Sequence, residues 1–382
     1  MIYLDAAATT PVRREVLEAM WPYLTGEYGN PSSSHRLGEV AAVALRDARA
    51  VVAGWLGARA SEIVFTSGGT EGNNLAIKGI ALGNPRGKHI VTTAIEHEAV
   101  LESVDYLRRL HGFEVTIIGV DDQGLVDVAA LASALRPDTT LVSVMLANNE
   151  VGTVQPIAQI AALAHEHGIP VHTDAVQAAP WLDLDVSALG VDAMTISGHK
   201  LGAPKGIGAL FVRGRVPLEP LVHGGGQERG KRSGTENVAG AVALATAISL
   251  LEPRAAEVAA VRDAFIAEVL ETVPGAVLTG HPQLRLPSIA SFCFPGMSGE
   301  SVLLELERRG VVCSSGSACA AGRDEPSHVL VAMGLDPIVA QTAVRFSFGG
   351  EFTMKVARDA AAALREAVSS VHALGGAPAS HA

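Results

Sequence analysis

Short apolar runs alternate with longer amphipathic stretches through the middle of the chain. The runs at 62–66, 89–93, 114–118, 140–145, 170–173, 193–197 and 208–212 are apolar on successive positions, which predicts strands covered on both faces. Helical periodicity fills several of the intervals, at 71–82, 99–111, 126–135 and 157–167. Strands separated by helices predict an α/β fold with a mostly parallel sheet and helices on either side.

The periodicity lapses over 216–237 into a glycine-rich polar stretch, His223-Gly-Gly-Gly-Gln-Glu-Arg-Gly-Lys-Arg-Ser-Gly-Thr235. A loop of that length inside a compact domain is either functional or mobile. Helical pattern returns over 236–272, with Pro253 breaking it. Beyond residue 273 strands and helices alternate on a smaller scale, including 288–294, 300–309 and 343–348. The domain break falls near residue 255. A large domain spans 14–255. A small one takes 256–382 together with 1–13, because the first residues have no helix of their own before Pro11 and are expected to pack with the C-terminal part. The Ala/Gly/Ser-rich tail after Leu374 is expected to fray.

Composition narrows the class. At 382 residues with 48% apolar content, the chain has material for a large core and about two domains. Lys plus Arg number 29 against 40 Asp plus Glu, a formal charge of −11 that argues against direct nucleic-acid binding through a general basic face. Three cysteines, Cys293, Cys313 and Cys319, cannot make a disulfide framework and point to a reducing, cytoplasmic compartment. The opening Met-Ile-Tyr-Leu-Asp is no secretory signal. The longest uncharged apolar run, 238–251, is shorter than the roughly 20 residues a span needs, so no membrane is expected.

Polar residues cluster where strands end. The stretch Ile169-Pro-Val-His-Thr-Asp174-Ala-Val-Gln177 ends in a carboxylate and an amide, and the next strand ends in Ser197-Gly-His199-Lys200. In open α/β sheets the ligand crevice lies at the carboxyl ends of strands, so both sets face one site unless Asp174 and Lys200 are a structural ion pair. Thr66-Ser67-Gly68-Gly69-Thr70-Glu71 joins a strand to a helix and reads either as an anion cup at a helix N-terminus or as a plain capping turn. Taken together, a phosphate cup, an amine and a carboxylate match the needs of pyridoxal phosphate. His97, just after a strand, is placed to stack on such a ring, and is otherwise a loop histidine. Glycine and serines around Cys319 suit an exposed, reactive thiol, whereas Cys293 reads as core and Cys313 as packing. No Cys/His set has metal-ligand spacing, and His165 and His167 face different sides of a helix, so no metal is expected.

The motifs Leu4-Asp5-Ala-Ala-Ala-Thr9-Thr10-Pro11, Phe65-Thr-Ser-Gly-Gly-Thr70-Glu71, Glu96-His97, Asn148-Asn149-Glu150, Asp174-Ala-Val-Gln177, Ser197-Gly-His-Lys200, His223-Gly-Gly-Gly-Gln-Glu-Arg229, Arg232-Ser-Gly-Thr235, Ser314-Ser-Gly-Ser-Ala-Cys319 and Val344-Arg345-Phe-Ser347 occur in this order. Together they resemble the cysteine desulfurases, the NifS/IscS-like branch of the class V, fold-type I pyridoxal phosphate enzymes. The resemblance implies a large domain with a seven-stranded, mostly parallel sheet and a smaller α+β domain.

It also implies roles. Lys200 carries the cofactor covalently and then moves the substrate α-proton. Asp174 pairs with the pyridine nitrogen, Gln177 with the ring hydroxyl, and His97 stacks on the ring. Gly69, Thr70, Ser197 and His199 form the phosphate cup, and Thr235 reaches the phosphate of a neighbouring subunit, which implies a homodimer. Asn149 and Arg345 bind the substrate, Arg345 through the carboxylate, and Asn149 also contacts the cofactor. Cys319 attacks the sulfur of L-cysteine, leaving an enzyme persulfide and L-alanine. The persulfide then serves sulfur acceptors such as an iron–sulfur scaffold protein or a tRNA-thiolation relay. An aminotransferase or lyase of the same fold would need no thiol, and a non-catalytic sulfur carrier would need neither Lys200 nor Asp174. Two departures from the family pattern flank the site, Gly72 and Ala203, and the tail after Phe348 lacks the polar extension of some scaffold-docking members.

Overall fold

The computed structural model describes residues 1–84, 86–316 and 325–375. The chain opens with β1 (Ile2–Tyr3) and the helices α1 (Arg14–Met20), α2 (Pro22–Thr25) and α3 (Arg36–Trp55). The sheet-forming part follows: β2 (Ile63–Thr66), α4 (Gly69–Gly83), β3 (His89–Thr93), α5 (Glu98–His111), β4 (Glu114–Ile118), α6 (Val128–Ala134), β5 (Thr139–Ser143), α7 (Ile157–Glu166), β6 (Val171–Asp174), β7 (Ala193–Ser197) and β8 (Gly208–Val212). After the glycine-rich loop come α8 (Val238–Ser249) and α9 (Ala255–Thr272), separated around Pro253. The rest is β9 (Val277–Thr279), β10 (Ile289–Cys293), α10 (Gly299–Arg308), β11 (Val311–Val312), α11 (His328–Ala332), α12 (Pro337–Ala340), β12 (Val344–Ser347) and α13 (Met354–Gly375).

All seven expected sheet strands are present, in the order β2-β8-β7-β6-β5-β3-β4. Six share one direction, and β8 runs antiparallel to both β7 and β2. Alternate residues of each strand enter opposite cores. Ile63, Phe65, Val91 and Val142 meet α3, α7 and α8 on one face. Val64, Ile90, Leu141 and Leu210 meet α4 and α5 on the other. Double coverage explains why these strands read as continuous apolar runs. The edge strand β4 is the exception, with Glu114 exposed and Ile117 56% exposed.

Two long helices, α3 and α13, have no counterpart in the sequence reading. In α3 the buried stripe Ala41, Ala44, Leu45, Ala48, Val52 and Ala53 keeps helical spacing, but four of its six members are alanine and carry little hydrophobic contrast. Helix α8, the long apolar run, is buried against α1 and α3. No helix among the described residues is long and apolar enough to cross a membrane.

A second core gathers around Phe265 of α9, which meets Phe292, Phe346, Phe348 and Phe352 edge-on at ring distances from 5.2 to 6.3 Å. Here β9, β10 and β12 form an antiparallel sheet, while β1 pairs in parallel with β11. Leu4 belongs to this core, so the first residues pack with the last third of the chain.

Because β2 runs with β3, β4, β5, β6 and β7, six connections emerge at one sheet edge: 67–68, 94–97, 119–127, 144–156, 175–192 and 198–207. That edge, at the carboxyl ends of the strands, is where α/β sheets place their ligand crevice.

Candidate active site

Lys200 ends a 3₁₀ turn, 198–200, that begins as β7 stops. Its ammonium donates to the carbonyls of Ala7 and Ala8, the latter at 2.7 Å. Burial and the nearby Arg345 cation push the amine down from 10.5 to about 8, while Asp5 and Asp174 pull the other way. A buried lysine that loses its proton near neutral pH is a nucleophile and a base. The Gln177 side chain donates to the same Ala7 carbonyl at 2.9 Å. The segment 5–10 therefore lies across the strand ends, held by Ser347, whose Oγ accepts from the Ala7 N–H at 2.8 Å.

Asp174, 7% exposed, is the last residue of β6. Its Oδ1 accepts from the Val176 N–H at 2.9 Å and its Oδ2 from the Asn73 amide at 2.6 Å. On the adjoining strand the Ser197 hydroxyl is buried and has no partner among the described residues. It faces the start of α4, where a Cβ on Gly68 would stand 3.8 Å from Ser197 Oγ. A Cβ on Gly69 would lie 2.9 Å from Val176 Cγ2, so only glycine lets the helix end come this close. No side chain among the described residues caps α4, leaving its first N–H groups without a partner there, beside that orphaned hydroxyl. The arrangement fits an anionic phosphate and, with Asp174 and Lys200, fits pyridoxal phosphate as a whole.

The opposite wall is built by Arg345 of β12, only 1% exposed. Its Nη2 donates to Asp5 Oδ1 at 2.8 Å and its Nη1 to the backbone carbonyls of Asn149 and Gly316 at 2.9 and 3.2 Å. Its Nε has no partner among the described residues. The turn after β5 is held from within by Asn148, whose Oδ1 accepts from the N–H groups of Glu150 and Val151. Glu150 is buried and accepts from Ser327 Oγ at 2.5 Å. Burial pushes its carboxyl up, against the pull of His328, Arg345 and His97. Glu96 is fully buried and pushed up to about 8, with Oε1 accepting from Thr93 Oγ1 and the Met145 N–H. His97 caps α5 by accepting the Ala99 N–H on Nδ1 at 3.0 Å, so the proton of the neutral ring sits on Nε2.

The glycine-rich loop is pinned rather than loose. Glu228 is 5% exposed and pairs with Arg49 of α3 through two hydrogen bonds of 2.6 and 2.7 Å. Glu228 and Arg229 both take left-handed backbone angles, φ 50° and 58°, which disfavour side-chain-bearing residues. Arg232 pairs with Glu71 in the first turn of α4 at 2.8 Å, tying the loop to the N-terminus of that helix.

The model of the class-V aminotransferase family matches residues 2–355. A protein of Dictyoglomus turgidum named Cysteine desulfurase IscS is 47% identical over 353 residues, covering 91% of this chain and 89% of its own. This chain belongs to the cysteine desulfurases of class V. Its other relatives include an IscS-like cysteine desulfurase of Mycobacterium tuberculosis, 46% identical over 360 residues and 91% of each chain. Among solved structures, a NifS-like protein superposes with a TM-score of 0.89 at 37% identity over 97% of this chain and 99% of its own. SspA in complex with cysteine gives 0.82 at 39% identity over 91% and 99%.

In this desulfurase-family chain the strand ends bring Asp174, Gln177, Ser197 and Lys200 together with Gly69. Other members are engaged elsewhere or open to solvent. The His199 ring is turned to Thr9 Oγ1 at 3.1 Å, and burial with Lys200 and Lys205 pushes it down to about 4, so it is neutral. Thr70 and Thr235 are exposed. Arg345 reaches the site already engaged with Asp5, and Asn149 supports it through its backbone. Cys319 lies outside the described residues. Cys293 is fully buried, its thiol pushed up to about 11, and Cys313 packs half-buried against the second core, where burial raises it further. Asp5, Glu96 and Glu150 stood in the quoted motifs without a role, and Asn73 was not singled out at all. Only Asp5 carried a local signal, a charge directly after the apolar stretch 2–4; Asn73, Glu96 and Glu150 sit among polar neighbours.

Proposed function

We propose that the chain is a pyridoxal-phosphate-dependent cysteine desulfurase that converts L-cysteine to L-alanine and keeps the sulfur as a persulfide on Cys319. The observation that carries this reading is the buried Lys200 amine, pushed down to about 8, at the end of the strand next to the one that ends in Asp174. When bound, pyridoxal phosphate supplies the electron sink that lets the amino acid lose its α-proton and polarises its β-carbon. Gly69, Thr70 and Ser197 would hold its phosphate, Asp174 its ring nitrogen, Gln177 its ring hydroxyl and His97 its open face, with His199 steadying the turn through Thr9.

Lys200 releases its hold on the Ala7 and Ala8 carbonyls to take the α-proton on Nζ. Arg345 exchanges Asp5 for the substrate carboxylate, using the unpartnered Nε, while Asn149 lines the same wall. The Cys319 thiolate attacks the substrate Sγ. The C–S bond breaks with its electron pair returning to carbon, the β-carbon gains a proton, and Cys319 holds the second sulfur as –S–SH. Lys200, protonated on Nζ by the α-proton it took, is the acid available for that proton.

The division into 14–255 and 1–13 with 256–382 belongs to this reading, since it puts the cofactor residues on one unit and Arg345 with Cys319 on the other. So does a cytoplasmic homodimer in which Thr235 completes the partner's phosphate cup. The persulfide would then pass to acceptor proteins, an iron–sulfur scaffold among them.

Peptide mass mapping after one turnover with L-cysteine tests the chemistry. One added sulfur is expected on Cys319 of the wild type, while Cys319→Ser binds cofactor and makes almost no alanine. Sulfur mapped to Cys313, or normal alanine production by Cys319→Ser, overturns the reading.

A further inference from the structure

Asp174 does not stand alone at the end of β6. One of its oxygens is satisfied locally by the Val176 N–H, and the other receives the Asn73 amide at 2.6 Å across the helix–sheet interface. Asn73 is 1% exposed, and its own Oδ1 has no partner among the described residues. The carboxylate fixes the amide orientation, since a carbonyl turned toward it would meet like charge. A buried asparagine that leaves its carbonyl unpaired is unfavourable as packing alone. Its donor group must therefore do something that an apolar side chain of the same size would not.

Its place in α4 says what. Asn73 lies four residues after Gly69, on the same face of the helix, about 6 Å further along the axis. One rigid helix thus offers its N-terminus to the phosphate cup and its second turn to Asp174. The approach depends on the residue between them. A Cβ on Gly72 would meet the Thr195 methyl at 2.6 Å, and Thr195 is the β7 partner of Asp174 in the sheet. Thr195 cannot simply turn away, because its hydroxyl is bonded to His172 Nε2 at 3.0 Å, and His172 is held in turn by Ser143 Oγ at 2.9 Å.

We propose that Asn73 is a positioning residue that fixes the Asp174 carboxylate toward the cofactor's ring nitrogen, and that the Gly72–Thr195 contact sets its reach. This rests on the pyridoxal phosphate reading above. It makes α4 a gauge, matching the distance from phosphate to ring nitrogen, and gives a purpose to the glycine by which this chain departs from the family pattern.

The test compares two ligands on the cofactor-free chain: pyridoxal phosphate and its 1-deaza analogue, in which the ring nitrogen is replaced by CH. The wild type is expected to prefer pyridoxal phosphate. In Asn73→Leu its affinity should fall roughly tenfold or more, as for loss of a hydrogen bond to a charged group, while that for the analogue stays the same. The preference for the nitrogen then collapses, as it must in Asp174→Asn. Asn73→Ser, which keeps a small polar group, provides a milder variant should the leucine disturb folding, and should show the same collapse in smaller measure. Gly72→Ala should also reduce the preference, and Thr195→Ser, which removes only the opposing methyl, should restore it in the double variant. Equal losses for both ligands, or no loss for either, would overturn the role of Asn73. A failed rescue would overturn that of Gly72. A wild type that binds neither ligand would instead sink the cofactor assignment itself.

Discussion

Two buried arginine–carboxylate pairs flank the site, and they are built differently. Arg49 and Glu228 meet through two parallel hydrogen bonds, with side chains only 10% and 3% exposed. Arg49 also donates to the Ile63 carbonyl at 2.9 Å and lies 4.7 Å from the centre of the Phe65 ring, while Glu228 accepts the Phe65 N–H. Both Glu228 oxygens and both terminal nitrogens of Arg49 are engaged. Arg345 and Asp5 share a single bond of 2.8 Å, Asp5 is 19% exposed, and the Arg345 Nε is unpartnered among the described residues. A closed pair holds a backbone in place, here the left-handed turn at Glu228–Arg229. An open one keeps a guanidinium oriented while leaving Nε unpartnered and the single Asp5 bond exchangeable for another carboxylate.

The largest effect expected is on stability. Glu228→Ala leaves the Arg49 guanidinium buried beside an empty place, and breaking such a pair costs about 3–5 kcal/mol. The double variant Arg49→Met/Glu228→Leu should recover most of that loss, since two apolar side chains leave no uncompensated charge. Denaturant titration of the three proteins checks the pattern. A double variant as unstable as the single one would show that the pair is not closed on itself.

The next effect falls on catalysis. Arg345→Met should lower kcat/KM for L-cysteine roughly hundredfold, about 3 kcal/mol, mostly through KM. Cysteamine, which lacks the carboxylate, is the control: whatever binding or turnover it supports should not depend on Arg345. Equal losses with both compounds would mean that Arg345 only holds the fold, as Arg49 does.

Lys200 extends the contrast to pH. Its folded value, about 8, lies below the ordinary 10.5, so between these values the unfolded chain binds more protons than the native one. Native stability of the cofactor-free protein therefore rises with pH across that window. Below pH 8 both states are protonated and the native state carries the full desolvation penalty. Lys200→Met should accordingly stabilise the cofactor-free chain by up to about 3 kcal/mol near neutral pH, with the gain fading as pH rises from 8 to 10.5. Melting curves from pH 7 to 10.5 read this directly, and a gain that does not change with pH would reject it.

The sequence showed these parts unequally, for physical reasons. Asp174, Ser197 and Lys200 were legible because each ends an apolar run, so strand polarity alone puts them at one sheet edge. Local periodicity likewise located the seven strands. The reversed direction of β8 was hidden, because strand direction resides in backbone hydrogen bonds that side chains do not report. The wall around Arg345 was visible only by resemblance, and its local partners were not. Asp5 and Arg345 are 340 residues apart, and nothing local links them. Asn73 was obscure for a third reason: its meaning depends on which face of the sheet α4 covers.

The smallest expected effect separates the open pair from the closed one most sharply. If Asp5 only occupies Arg345 until substrate arrives, its charge competes with the substrate carboxylate. Asp5→Asn keeps the shape and weakens the competitor, so KM for L-cysteine should fall a few-fold, about 0.5–1 kcal/mol for a partly exposed ion pair. The same substitution has a second consequence. The Asp5 charge holds the Lys200 amine up, so removing it should move that amine further below 8, and cofactor capture by the empty chain should begin at lower pH. Steady-state kinetics and the pH dependence of cofactor capture measure the two effects separately. Both shifts together identify Asp5 as a competitor that also tunes the lysine. A KM that rises instead, with the pH shift intact, would show that Asp5 orients Arg345 as Glu228 orients Arg49, and the two pairs would differ in exposure but not in kind.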